Sequence, residues 1–105
     1  MFSRIDHARF HTEHGDDVIR VAEESLDTFR AIPGFKGITY HYDPASGWGF
    51  AISFWASEAE AEAAPEHYAH VAEAFATYAV GDSNDDPARN HVSGPLPTFQ
   101  VIAEA

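Results

Sequence analysis

The chain has 105 residues, a length that suits one domain of ordinary size. Its 45% hydrophobic content indicates a folded globular protein, and its formal net charge of -11 argues against binding to nucleic acid or to an anionic membrane surface. The chain contains no cysteine, which excludes disulfides, thiolate metal sites and cysteine nucleophiles. No signal-peptide pattern and no apolar run of membrane-spanning length is found, so we expect a cytoplasmic protein.

The first two elements along the chain are predicted as a short strand and an amphipathic helix. Residues 2–10 alternate weakly between the two sides of a strand. Between residues 16 and 32, apolar side chains recur at intervals of three and four, which indicates a helix with one buried stripe. Acidic residues lie at its start, where the helix dipole favours them, and Pro33 followed by Gly34 ends it.

A β-hairpin is predicted next. Residues 35–43 alternate and are rich in β-branched and aromatic side chains, which favours a strand. Residues 43–47 have the composition of a turn, and the chain then returns as the partner strand. We expect the largest apolar side chains of this second strand to form the core beneath the helices, namely Phe50, Ile52 and Phe54.

The rest of the chain is predicted as a helix, a long loop and a last strand. Ser57 and Glu60 match a capping box, so the helix begins there, and Pro65 is expected to restart it as a first-turn residue. Residues 81–97 are polar, rich in turn residues and longer than an ordinary loop, which indicates either a lid or a mobile segment. Residues 98–105 alternate again and predict the last strand.

The order strand, helix, strand, strand, helix, strand is the ferredoxin-like split βαβ arrangement, an α+β fold in a single domain covering residues 1–105. Two helices then pack on one face of a four-stranded antiparallel sheet. The other face is too apolar to be left in water, so we expect a homodimer formed through the sheet faces to cover it. The side chains predicted on that second face are Thr39, His41, Ala51, Ser53, Trp55 and Ile102.

Two segments resemble the antibiotic biosynthesis monooxygenase family of dimeric α/β barrels. They are IPGFKGITYHYD, residues 32–43, and FAISFWASEAEA, residues 50–61. The matching features are Pro-Gly-Phe after the first helix, the aliphatic strand that ends in Trp55, and the Ser-Glu start of the second helix. The resemblance implies a homodimer and a pocket between sheet and helices or along the barrel lining. It also implies cofactor-independent oxygenation of a small aromatic or polycyclic molecule, without a cofactor or a metal.

By similarity, Trp55 lines the substrate pocket, where it would offer a flat apolar face and one N–H donor. Packing at the barrel interface is the alternative role for this side chain. Ala51 stands where the family has an Asn, and Ala61 stands where it has a Tyr. A pocket for cofactor-independent oxygenation must still supply a proton acceptor and donors for the developing anion.

His41 is the candidate catalytic base, because an imidazole titrates near neutral pH. It lies on the same side of its strand as Thr39, and we expect both to face the barrel interior with Ser53 and Asp6 as substrate contacts. An ion pair between Asp6 and Arg4 is the alternative for that carboxylate. A half-exposed histidine without a task is the alternative for His41.

Two further functions remain open at this point. A non-catalytic binding or stress-response module would use the same fold. The haem-degrading branch also resembles the chain in layout, with its haem-ligating His near Glu73, and a gap of one helical turn would bring His70 there. His70 is also a candidate substrate contact, because the second helix borders the family's pocket. His67 and His70 have a spacing that suits a helical metal site, but two ligands on one exposed helix are weak evidence, so a solvated helix face is the better explanation and we predict no metal.

Overall fold

The computed structural model describes residues 1–80 and 97–105. In these ranges the strands are β1 (Phe2–Arg9), β2 (Phe35–Tyr42), β3 (Trp48–Trp55) and β4 (Phe99–Gln100). The helices are α1 (Gly15–Arg30), α2 (Glu58–His67) and α3 (Ala69–Ala76), with a short 3-10 turn before α1. The predicted lid or mobile segment at 81–97 lies outside the described residues, apart from Pro97.

The four strands form one antiparallel sheet in the order β2-β3-β1-β4, which confirms the predicted ferredoxin-like α+β fold. β1 pairs with β3 along its whole length, from Phe2 opposite Trp55 to Arg9 opposite Trp48. β2 pairs with the other side of β3, with an irregularity in register near Gly37. The last strand is shorter than predicted, because only Phe99–Gln100 pairs as a strand with β1.

The helices cover one face of the sheet and bury their apolar stripes against it. The three-and-four spacing of α1 is confirmed, since its buried residues are Val18, Val21, Ser25 and Phe29. The predicted capping box also forms, because the Glu60 backbone N–H donates to Ser57 Oγ at 3.2 Å and the Ser57 hydroxyl donates to Glu60 Oε1 at 2.9 Å. Within the described residues, no helix has the length and apolar character needed to cross a membrane.

The second helix is divided in two, and the expected position of its restart was wrong. Pro65 lies inside α2, and the division falls at Tyr68, whose φ of -120° and ψ of 23° are not helical. The Tyr68 backbone N–H donates to the Pro65 carbonyl at 3.3 Å, so α2 closes with a tightened last turn. Proline removes a helical hydrogen bond from its own nitrogen, yet α2 continues for two residues beyond it before the chain changes direction.

The two faces of β3 are the reverse of the prediction. Trp55 has no exposed surface, and it belongs to the core cluster with α1, α2 and α3. Ala51 and Ser53 are buried on the same face, whereas Phe50 on the opposite face is 43% exposed. The predicted alternation of β3 is correct, but the larger side chains do not mark the face that packs against the helices. On the face beneath the helices, β3 therefore carries one large side chain, Trp55, and the small residues Gly49, Ala51 and Ser53.

The hairpin turn between β2 and β3 depends on Gly47, which has a φ of +83°. The Phe10 backbone N–H donates to the Gly47 carbonyl at 2.7 Å, and a Cβ at Gly47 would collide with the carbonyl oxygen of Phe10. Only glycine adopts this conformation readily and also allows such a close approach. The turn is thereby joined to the end of β1.

Candidate functional site

A cavity of about 530 Å³ lies between the helix-facing side of the sheet and helices α1 and α3. Its sheet side is formed by β1, β2 and β3. Its helix side is formed mainly by the apolar residues Val18, Ala22, Leu26, Phe29, Val71 and Phe75. The size and the mostly apolar wall are those of a small-molecule site, because such sites typically measure about 300–1,000 Å³ and contain a few polar groups.

The cavity exists because β3 carries small side chains at the positions that face α1 and α3. Ala51 lies in register between Asp6 of β1 and Tyr40 of β2, and all three line the cavity. Gly49 lines it as well, and a Cβ there would lie 3.3 Å from both the His41 carbonyl oxygen and a ring carbon of Phe10. A larger residue at either position would reduce the space above the sheet.

Four polar side chains form two hydrogen-bonded pairs beside the cavity. The Tyr68 hydroxyl donates to Asp6 Oδ2 at 3.4 Å, and the Tyr40 hydroxyl lies 2.6 Å from Ser25 Oγ. Ser25 has one hydroxyl hydrogen, which it donates to the Ala22 carbonyl at 2.7 Å, so Tyr40 is the donor in the shorter contact. The Tyr40 oxygen keeps its capacity to accept a hydrogen bond.

Both phenols are held in the neutral form at physiological pH. Burial raises the pKa of Tyr40, and the hydrogen bond with Ser25 acts in the opposite direction. Burial also raises the pKa of Tyr68, and the negative charge of Asp6 adds to that effect. Because desolvation disfavours the phenolate, these two groups act as hydrogen-bond donors and not as bases.

Asp6 lines the cavity and is exposed to solvent, so its carboxylate is accessible to a ligand. It lies on the helix-facing side of β1, and the expectation that Asp6 and Arg4 face the barrel interior was wrong. Arg4 donates from Nη1 to Thr98 Oγ1 at 3.3 Å, and no ion pair forms between Arg4 and Asp6. The structural alternative to a ligand-binding role for Asp6 is therefore absent from the described part of the chain.

Trp55 and Ser53 lie in the core and do not line the cavity. The Trp55 indole N–H donates to Ser53 Oγ at 2.9 Å, and its ring meets Phe35 edge-on with centroids 5.6 Å apart. Ala61 and Ala64, which have no exposed surface, pack in the same cluster. The geometry of this cavity gives no support to the pocket-lining role that the resemblance implies for Trp55.

The side chains of Thr39 and His41 lie on the second face of the sheet, as predicted, and Thr39 does not line the cavity. The His41 ring stacks on Phe50 with centroids 4.4 Å apart and an interplanar angle of 8°. His41 Nε2 lies 3.0 Å from Thr39 Oγ1. His41 belongs to the cavity wall beside Gly49, but its imidazole stacks on Phe50 on the open face, which places it poorly to take a proton from a ligand held beneath the helices.

His70 is exposed on α3, with Nε2 at 3.4 Å from Thr28 Oγ1, and it does not line the cavity. His67 ends α2, so the break at Tyr68 separates the two histidines that sequence spacing had placed on one helix. In the ranges 1–80 and 97–105, no three histidine, aspartate or glutamate side chains are grouped in a way that could hold a metal ion.

Sequence reasoning missed Tyr40, Tyr68 and Ser25 as members of the site. One signal was available: Ser25 interrupts the otherwise apolar stripe of α1, and a buried serine in such a stripe requires a hydrogen-bonding partner. That partner, Tyr40, became apparent only from the packing of β2 against α1.

Similarity to known proteins is found by comparing structures and not by comparing sequences. No family model matches the sequence, and no curated protein matches it. The chain is similar to a solved antibiotic biosynthesis monooxygenase with a TM-score of 0.65 and 19% identity, over 78% of this chain and 90% of that one.

Two other solved structures are similar over nearly their full length. Rv0793 from Mycobacterium tuberculosis has a TM-score of 0.68 and 10% identity, over 99% of this chain and 97% of that one. The structure of an MhuD mutant with two manganese protoporphyrin IX molecules bound per active site is similar with a TM-score of 0.55 and 15% identity. The match covers 100% of this chain and 98% of that one. At these identities the likeness establishes the fold, and the resemblance to the monooxygenase family is confirmed at that level.

Proposed function

We propose, from the fold that this chain shares with a solved antibiotic biosynthesis monooxygenase, that it binds a small aromatic molecule in the cavity between the sheet and helices α1 and α3. The observation that carries the proposal is the cavity itself, with a volume of about 530 Å³. Its wall combines aromatic and aliphatic side chains with the polar pairs Asp6–Tyr68 and Tyr40–Ser25. An apolar body with a few fixed polar groups is the pattern of a small-molecule site.

Titration calorimetry with a flat apolar probe tests this proposal. We expect 2-methylnaphthalene to bind with a negative change in heat capacity, because burial of apolar surface produces that sign. The site is located by the nuclear magnetic resonance shifts of methyl groups, which should move at Val18, Leu26 and Val71 in the cavity wall. Absence of binding, or shifts confined to residues outside the wall, would overturn the proposal.

Cofactor-independent oxygenation is a second candidate, and the likeness to the solved monooxygenase favours it. In such a reaction dioxygen converts an activated ring CH₂ of an anthrone into C=O and releases one water, so the substrate supplies all the electrons. The reaction needs a proton acceptor at the ligand. Among the described residues Asp6 is better placed for this than His41, because Asp6 lines the cavity with its side chain. Dioxygen uptake with an anthrone, abolished in Asp6→Asn, is the expected result.

A haem-binding function has less support from the site. His70, the candidate axial ligand, lies outside the cavity wall and against Thr28. The likeness to the MhuD mutant with bound manganese protoporphyrin IX concerns the fold. Ligand binding therefore remains the function that the geometry supports best. The dioxygen uptake measurement distinguishes a non-catalytic binding module from an oxygenase.

We also propose that a second copy of the chain covers the open face of the sheet, which is the face opposite the helices. Its exposed apolar residues include Trp48, Phe50 and Phe99, which are 37%, 43% and 39% exposed. Ile5 and Ile52 lie opposite each other at the centre of the same face. An apolar surface of this kind favours association in water. Light scattering at micromolar concentration should give twice the monomer mass, and a monomer mass would contradict the proposal.

A further inference from the structure

Among the described lysine, arginine, aspartate and glutamate residues, those in the cavity wall are all acidic. Asp6 and Glu23 line the wall, and no lysine or arginine does so in residues 1–80 and 97–105. Along β1, the cation nearest in sequence is Arg4, which lies outside the wall, donates to Thr98 and places its positive charge near the hydroxyl of Tyr68, the partner of Asp6. The wall therefore offers a ligand carboxylates and no lysine or arginine side chain, with Arg4 behind Tyr68.

Asp6 is held so that one of its oxygens remains available. Tyr68 donates to Oδ2, at a distance of 3.4 Å that indicates a weak bond. A carboxylate has two oxygens and about four acceptor sites, so Oδ1 can accept a hydrogen bond from a ligand. On the neighbouring strands Ala51 has no polar side chain, and Tyr40 uses its hydrogen on Ser25. Among the polar groups in this row, Asp6 is the one that offers a full negative charge.

We infer that Asp6 is the specificity-determining residue of the cavity, which admits aromatic molecules bearing a hydrogen-bond donor and rejects those bearing a carboxylate. This inference rests on the proposed binding function. A hydroxyl or ammonium group of the ligand pairs with Asp6, while the ring occupies the apolar space beneath α1 and α3. A carboxylate on the same ring is repelled by the negative charge of Asp6.

Three probes with the same ring test the inference by titration calorimetry at pH 7: 2-naphthol, 2-methylnaphthalene and 2-naphthoate. We expect 2-naphthol to bind most tightly, and 2-naphthoate to bind at least about tenfold more weakly than 2-methylnaphthalene. In Asp6→Asn the three affinities should converge, because the amide has nearly the same shape without the charge. The control is Asp16→Asn, which removes the same charge from an exposed position outside the cavity wall and should keep the wild-type order.

The possible results separate this inference from the proposed function. If 2-methylnaphthalene binds and 2-naphthoate binds as tightly, the charge selection is overturned while the binding function stands. If the wild-type order is unchanged in Asp6→Asn, Asp6 is not the determinant. If none of the three probes binds, the binding function fails, and the selectivity inference fails with it. The wild-type comparison needs no variant, so it decides the point even if Asp6→Asn does not fold.

Discussion

Trp55 donates a hydrogen bond from its indole nitrogen to Ser53 Oγ at 2.9 Å, between two side chains on the same face of β3. Trp55 is fully buried and Ser53 is 2% exposed. A buried N–H without a partner costs about 1–3 kcal/mol, so Ser53 makes a tryptophan at the centre of this core energetically acceptable. The serine thus has a structural role in the fold.

The replacement Ser53→Ala should lower the free energy of unfolding by about 1–3 kcal/mol, since it leaves the indole N–H buried and unpaired. The measurement is urea denaturation at a fixed protein concentration, because assembly would otherwise alter the apparent stability. Ser3→Ala is the matched control, because Ser3 lies on the opposite face of the sheet and faces Phe54 in the register. Equal losses in the two variants would contradict the role assigned to Ser53.

Substitution of Ala51 by valine should fill part of the cavity. We expect the affinity for 2-methylnaphthalene to fall by about tenfold or more, which corresponds to about 1.4 kcal/mol, while the fold is retained. Calorimetry measures the affinity, and circular dichroism checks the fold. Ala56→Val makes the same change at an exposed position just beyond β3 and should bind like the wild type. Undiminished binding in Ala51→Val would place the probe elsewhere.

A charge at the centre of the open face should dissociate the proposed dimer. Ile52 lies between Ile5 and Thr39 in the register, and Ile52→Lys would place an ammonium group in the interface. We expect the dissociation constant to rise by about a hundredfold or more, measured by sedimentation velocity. Ala63→Lys introduces the same charge on the exposed side of α2 and should leave assembly intact. An unchanged mass for Ile52→Lys would remove the open face as the interface.

The acid sensitivity of the fold should depend on Asp17. Hydrogen bonds from His14 and Arg20, at 3.0 and 3.2 Å, lower the pKa of this carboxyl below its usual 3.8. A group whose pKa is lower in the folded state contributes stability above its unfolded pKa, and this contribution is lost as the pH falls through the folded value. Stability should therefore decline less steeply below pH 4 in Asp17→Asn.

Acid unfolding followed by circular dichroism between pH 5 and pH 2 checks this expectation. The comparison variant is Asp16→Asn, which alters the net charge equally without removing either hydrogen bond to Asp17. If stability falls equally steeply with pH in the wild type and in Asp17→Asn, the contacts of Asp17 with His14 and Arg20 do not contribute to acid stability.

The fold was accessible from the sequence because its signals are local. The three-and-four spacing in α1, the turn residues before β3 and the capping box at Ser57 each depend on neighbours along the chain. The direction in which β3 faces was not accessible in this way. Alternation states which side chains share a face, but Phe50 and Trp55 are both large and apolar, and only packing against the helices shows which of them is buried.

The site was less predictable for a related reason. His41 and Trp55 attracted attention by residue type, yet one lies on the open face and the other in the core. Asp6 was identified, but on the wrong side of its strand. The Tyr40–Ser25 pair joins a strand to a helix, and such a contact between distant segments leaves only a weak trace in a single sequence.

The strict alternation of β3 has a consequence for experiments on this protein. Cavity-facing and open-face positions follow one another at single-residue intervals, with Gly49 and Ala51 on one side and Phe50 and Ile52 on the other. A saturation scan of residues 49–52 should therefore impair ligand affinity at Gly49 and Ala51 and self-association at Phe50 and Ile52, in alternation. One strand would then report on two surfaces in a single library.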